Sequence, residues 1–219
     1  MKILTVSDIE SIKFDQQQMG QNLKDFDLVI SCGDLTCYYL ENMIRALRTP
    51  LYFVRGNHAR ELEYGTAGPR SAPHGAIDLH QNVIHDPTTG LLIAGIEGSL
   101  RYNIGNYQYT QKQMWDFVLK MVPALLFNKI RYGRYIDLLV THSPPFGIHD
   151  QPDPAHQGVK AFLWLCRTFK PICHIHGHIH IYNENTIFRT MLGRTLVINT
   201  YGFRQLTLEG APNFQVKIS

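Results

Sequence analysis

Asp8, Asp34, Asn57, His142, His178 and His180 each follow a short apolar run. Together they offer carboxylate, amide and imidazole donors and no thiolate, a set that suits Mn²⁺, Fe or Zn²⁺. Taken singly, most have an ordinary explanation. Asp8 could cap a helix. Gly33-Asp34 and Gly56-Asn57-His58 could be turns, and Thr141-His142-Ser143-Pro144 could be a strand exit. Gly177-His178-Ile179-His180 is harder to dismiss, because two imidazoles at i and i+2 beyond a glycine make a tight bidentate offer to a metal. The set carries the argument: all five segments fall at the same end of the expected strands, and in open α/β sheets the carboxyl ends of the strands face the ligand crevice.

The elements that must position these residues are legible as apolar β-branched runs. Ile3 to Val6, Leu28 to Ile30, Leu51 to Val54, Ile136 to Val140 and Ile172 to Ile175 are continuous rather than alternating, which suits strands buried on both faces. Helical patterns lie between them at Tyr39 to Leu47, Gln111 to Arg131 and Val159 to Phe169, with Pro123 expected to kink or break the second. Strands alternating with helices predict α/β layers. A further strand pair is expected around Pro87-Thr88-Thr89-Gly90, with one strand at Leu92 to Gly95. The tail, Ile181 to Ile218, reads as consecutive hairpins with turns at Asn183-Glu184-Asn185, Leu192-Gly193-Arg194 and Glu209-Gly210-Ala211-Pro212. Arg60 to Leu79 and Gly147 to Gln157 read as loops, the latter a candidate lid carrying His149 and His156. His174 and His176 are expected to support the site rather than form it.

Bulk properties narrow the class. A chain of 219 residues, 44% hydrophobic and 18% charged, is expected to form one globular domain over 1–219. The net charge of +3 comes without a block of like charge, so a nucleic-acid face is not expected. Cys32, Cys37, Cys166 and Cys173 have no zinc-motif spacing and read as reduced thiols. The apolar start stops at Ser7-Asp8, too soon for a signal segment, and no run approaches a membrane span. The expectation is a cytoplasmic protein that acts on a small molecule without membrane contact. A homo-oligomer is left open.

The order Asp8, Gly33-Asp34, Gly56-Asn57-His58, His142 and Gly177-His178-Ile179-His180 resembles the calcineurin-like metallophosphoesterase family, whose pattern is D-x-H, G-D, G-N-H, a lone H and G-H-x-H. Thr141 to Gly147 and Asp153 to Gly158 also resemble small bacterial members. The resemblance implies a four-layer α/β/β/α sandwich, two mixed sheets flanked by helices. It implies two divalent metal ions, Mn²⁺ foremost, with Fe, Zn²⁺, Mg²⁺ or Ni²⁺ as other candidates. Asp34 would bridge them, Asp8 and His180 would hold the first, and Asn57, His142 and His178 the second. It further implies hydrolysis of a phosphodiester or phosphomonoester by a hydroxide that the metals activate. Asn57 and His58 would be catalytic, with His58 the proton donor. A small diester is the favoured substrate.

Two departures stand out. Glu10 occupies the place of the first motif's histidine and would ligate through oxygen, hardening that position toward Mn²⁺ or Mg²⁺. Ala59 replaces an acidic residue frequent after G-N-H. Glu10 also keeps two alternatives open: a non-catalytic scaffold of the same fold, or a hydrolase with one metal. Arg101, Tyr102 and His149 are the expected substrate-binding residues.

Overall fold

The computed structural model describes residues 1–11, 25–65, 68–183, 185–210 and 215–218. The first part of the chain forms β1 (Lys2–Ser7), β2 (Leu28–Ser31), α1 (Cys37–Leu47), β3 (Leu51–Phe53), a ribbon of β4 (Glu63–Gly65) and β5 (Gly68–Arg70), then β6 (Ala76–Asp78), β7 (Val83–His85) and β8 (Leu92–Ile96). There follow β9 (Ser99–Leu100), β10 (Gln108–Tyr109), α2 (Gln111–Tyr132), β11 (Leu138–Thr141), α3 (Lys160–Phe169) and β12 (Cys173–His176). The tail forms β13 (Arg189–Leu192), β14 (Thr195–Asn199), β15 (Gly202–Glu209) and β16 (Gln215–Ile218).

Two six-stranded mixed sheets result, in the orders β16-β15-β1-β2-β3-β6 and β13-β14-β12-β11-β8-β7. Parallel strands occupy the centres, and antiparallel strands lie at β15, β16, β13 and β7. Residue alternation explains why the strand runs have no polar gaps. Ile3, Leu28, Ile30, Leu138, Val140 and Ile175 face the space between the sheets. Their neighbours Leu4, Val6 and Val29 pack under α1, and Ala94, Ile96 and Leu139 pack under α2 and α3. Both sheet faces are thus covered, giving the four layers α/β/β/α. Each fully buried aliphatic side chain contributes about 1.5–3 kcal/mol to this arrangement.

Local signals set the helix ends. The Thr36 hydroxyl accepts from the amide of Tyr39 to start α1, and a reciprocal Thr110–Gln113 capping box starts α2. Gly133, at φ 75°, ends α2 in a left-handed turn that glycine adopts without steric cost. Pro123 neither breaks nor ends α2, which runs unbroken through it. The proline lies on the exposed side of the helix, where water can satisfy the carbonyl its missing N–H leaves free.

Three other expectations need correction. Arg60 to Leu79 is not a plain loop: it holds β4, β5 and β6, and β6 adds a parallel edge strand beside β3. Their three-residue length hides them from periodicity. The segment around Asn183 and Asn185 forms no hairpin among the described residues. The tail does form two of the expected hairpins, β13–β14 about Leu192-Gly193-Arg194 and β15–β16, but they do not lie in one sheet. β13 and β14 join the second sheet, whereas β15 crosses to pair with β1 in the first. Glu184, Ala211 and Pro212 lie outside the described residues.

The expected strand pair at Pro87 to Gly90 is the β7–β8 hairpin. Its turn is tied to the core by Asp86, whose carboxylate accepts from the Tyr52 hydroxyl (2.6 Å) and from the amide and hydroxyl of Thr89 (2.6 and 2.5 Å). Burial pushes the carboxyl up, but the bonds from Thr89 and Tyr52 outweigh it and hold it below the usual carboxylate range. A depressed folded-state value contributes stability at neutral pH that is lost as pH falls through that range. Asp86→Asn should therefore cost about 1–3 kcal/mol at pH 7. Urea melts should show the native–variant gap closing toward pH 3. A gap independent of pH would refute the charge's role.

Candidate metal centre

The strand ends converge at one edge of the sandwich. Asp8 follows β1, Asp34 follows β2, Asn57 follows β3, His142 follows β11, and His178 and His180 follow β12. Asp8, Asp34 and His142 each present an atom within 4.8 Å of the others. Glycine makes this approach feasible. A Cβ on Gly56 would fall onto the Asp34 carboxylate, and one on Gly177 onto Ser7 and Asp8. The glycines before Asn57 and His178 thus leave room for carboxylates arriving from neighbouring strands. Asp8, Asp34 and His178 adopt left-handed backbone conformations, φ 65°, 56° and 67°. Such strain persists where surrounding contacts over-determine it. Here the His178 amide donates to both Asp8 oxygens, the Asp8 amide to Gly33 O, and the His58 amide to Asp34 Oδ1.

Hydrogen bonds also set the histidine tautomers. His142 Nδ1 donates to the Cys32 carbonyl at 2.7 Å, so Nε2 carries the free lone pair. His178 Nε2 donates to the Ala155 carbonyl at 2.8 Å, which leaves Nδ1 as its lone-pair nitrogen. Asn57 Nδ2 donates to the Tyr102 hydroxyl at 3.0 Å, turning Oδ1 the other way. That Oδ1 and Asp34 Oδ2 lie 3.0 and 3.2 Å from His142 Nε2. An amide oxygen, a carboxylate oxygen and an imidazole lone pair therefore meet with no donor among them. Such a cluster requires a positive occupant, either a proton or a metal cation. Without metal the proton fills that role. Burial opposes it, but Asp34 draws the His142 imidazole above its ordinary range, and His142 in turn holds the Asp34 carboxyl below its own. Burial pushes the Asp8 carboxyl up, with His142 only partly offsetting it, and pushes His178 down to about 3. A neutral His178 is ready to ligate. The donor set thus fits a divalent cation.

The remaining expected residues are placed as follows. The Glu10 carboxylate is exposed and accepts from Thr36, the cap of α1. His58 is exposed beside Asp34. His180 Nε2 lies 3.9 Å from Asp8, with Nδ1 bonded to the Tyr182 hydroxyl. Tyr102 touches Asn57, whereas the Arg101 guanidinium turns back onto the Gln108 carbonyl. His149 has both ring nitrogens engaged, one by His176 and one by Thr190. His174 and His176 are buried, and both are pushed below the ordinary imidazole range by burial. Sequence reasoning did not find the carbonyls of Cys32 and Ala155 or the rings of Tyr182 and Tyr201. Backbone carbonyls have no residue signature, and the two tyrosines lie outside every motif. An Arg55 guanidinium bridging Asp78 and Glu97 behind Gly56-Asn57 was also missed, although Arg55 adjoins that motif.

The chain belongs to the calcineurin-like phosphoesterase family, whose model matches residues 1–182. Its fold is that of a metal-dependent phosphoesterase, and members of the family use divalent metals. One solved structure covers all of this chain and 98% of its own, at 14% identity and TM-score 0.62. Vps29 from Entamoeba histolytica (12% identity, TM-score 0.44) covers all of this chain and 98% of its own. The 5'-nucleotidase from Candida albicans (12% identity, TM-score 0.46) covers 99% of this chain and 50% of its own. No curated protein matches. Among the described residues, no helix is long and apolar enough to cross a membrane.

Proposed function

We propose that this protein hydrolyses a small phosphate ester, a diester in preference to a monoester, with two divalent metal ions, Mn²⁺ foremost. The observation that supports this most is the meeting of Asp34, Asn57 and His142 acceptors with no donor among them. In this reading Asp34 would serve both ions, Asp8 and His180 the first, and Asn57, His142 and His178 the second. Bound there, the ions would lower the pKa of water and neutralise phosphoryl charge. The Ala155 and Cys32 carbonyls hold the imidazoles in ligating tautomers. Tyr102 keeps the Asn57 oxygen aimed inward. His58, exposed beside Asp34, hands a proton to the departing alkoxide oxygen.

One Glu10 carboxylate oxygen, Oε1, already accepts from the Thr36 hydroxyl. That contact favours a second reading, in which one ion binds at the second position or the chain acts as a non-catalytic binding protein. The deciding assay uses metal-stripped protein, bis-p-nitrophenyl phosphate and p-nitrophenyl phosphate, with Mn²⁺, Mg²⁺, Ni²⁺ or Zn²⁺ restored singly and bound metal counted. Turnover with two ions bound, faster on the diester, is the expected result. Turnover with one ion selects the mononuclear hydrolase, and a folded protein inert with every metal selects the binding protein.

Tyr102→Phe keeps the ring and removes the bond to Asn57. It should lower metal affinity by about 10- to 100-fold, the usual effect of losing a group that orients a ligand, and leave the melting temperature of the metal-free protein unchanged. Unaltered affinity in a metal titration would remove Tyr102 from the site.

A further inference from the structure

A cleft of about 630 Å³ opens beside His180, between the loop that starts at Gly147 and the segment that follows Ile181. That volume lies in the range of small-molecule sites, about 300–1,000 Å³. Ile148, Ile179 and Ile187 supply its apolar wall, with Tyr182 at its mouth. Tyr182 is 84% exposed and Ile187 70%, so both offer uncovered apolar surface. The Tyr182 ring packs edge-on against His180, and Tyr201 packs against both, its ring centre 4.7 Å from the imidazole and 6.2 Å from Tyr182. No lysine or arginine lines the cleft among the described residues, and its one carboxylate is Asp150. Such a wall disfavours phosphates and suits an uncharged group with a flat ring.

The position of the cleft says which part of a substrate it would hold. His58 sits against Asp34, and His180 sits against Asp8. The departing oxygen belongs with the proton donor His58, so the space beside His180 falls to the group that phosphorus keeps. We propose that this cleft binds the retained organic group of a phosphodiester, an uncharged, ring-bearing group of nucleoside size. This rests on the reading of the chain as a phosphoesterase. A monoester has no such group and leaves the cleft empty. A polyphosphate or nucleic-acid strand would set further negative charge against a wall without cations.

The test compares thymidine 5'-(p-nitrophenyl) phosphate with methyl p-nitrophenyl phosphate. Both release the same phenolate and differ only in the retained group. The native protein should favour the thymidine ester by about tenfold or more in kcat/KM, the discrimination expected for one ring in an apolar cleft. The double variant Ile148→Ser/Ile187→Ser should lose most of that preference and keep its rate on the methyl ester. Thymidine alone should bind the metal-stripped native protein in calorimetry and bind the double variant more weakly. Equal rates on the two esters, or a preference unchanged in the variant, would overturn the proposal and leave the hydrolase standing. Thymidine binding without turnover of either ester would support the cleft and sink the hydrolase. Absence of both turnover and thymidine binding would overturn both.

Discussion

Asp34→Asn is expected to cut metal-dependent ester hydrolysis by more than about a hundredfold, since losing even a group that merely orients a ligand costs about 10- to 100-fold. Asp34 sits at the centre of the cluster: Oδ1 accepts from the His58 amide, and Oδ2 faces His142 Nε2. Asparagine matches its shape and tolerates the left-handed conformation at φ 56°. The variant should therefore fold, and the loss can be assigned to charge. Metal analysis should find less than the native complement of bound ions, and EDTA-treated native and variant proteins should melt within a few degrees of each other. Full turnover with a full complement of metal in Asp34→Asn would refute a bridging role and the two-ion reading with it.

The second large effect depends on the leaving group. His58→Ala should slow hydrolysis of an alkyl diester by about 10²- to 10⁴-fold, the usual contribution of a general acid. It should slow a p-nitrophenyl diester much less, because p-nitrophenolate departs without needing a proton. The structure makes this a clean experiment. The contact of His58 with Asp34 runs through its backbone amide, which alanine retains, and the imidazole is exposed. Equal losses on both esters would point to phosphate binding instead, and no loss on the alkyl ester would remove His58 from the mechanism.

Much of the fold was legible because its signals are local. Continuous apolar runs such as Leu28 to Ile30 report burial on both faces, and the β-strand period of two sends successive residues to the two sides of a sheet. Helix α2 carries its own start in Thr110 and Gln113 and its own stop in Gly133. The position of the candidate site residues was legible for the same reason: Asp8, Asp34, Asn57, His142, His178 and His180 are marked by type and by the run before them, and each follows a strand. Short strands such as β6 were not legible, since three residues cannot display a period.

The sequence by itself determined which residues can donate to a metal, which runs are buried, and the family to which the ordered motifs belong. Only the tertiary structure decided how these parts combine. The pairing of β15 with β1 and the contact of Thr5 with Thr200 join the two ends of the chain, and no local pattern encodes a partner so far away. The same holds for the site. The imidazole tautomers depend on carbonyls of Cys32 and Ala155, the Asn57 amide on Tyr102, and the Glu10 carboxylate on Thr36. A hydrogen bond is fixed by direction and distance in space, and those exist only once separate strands have been brought to one edge.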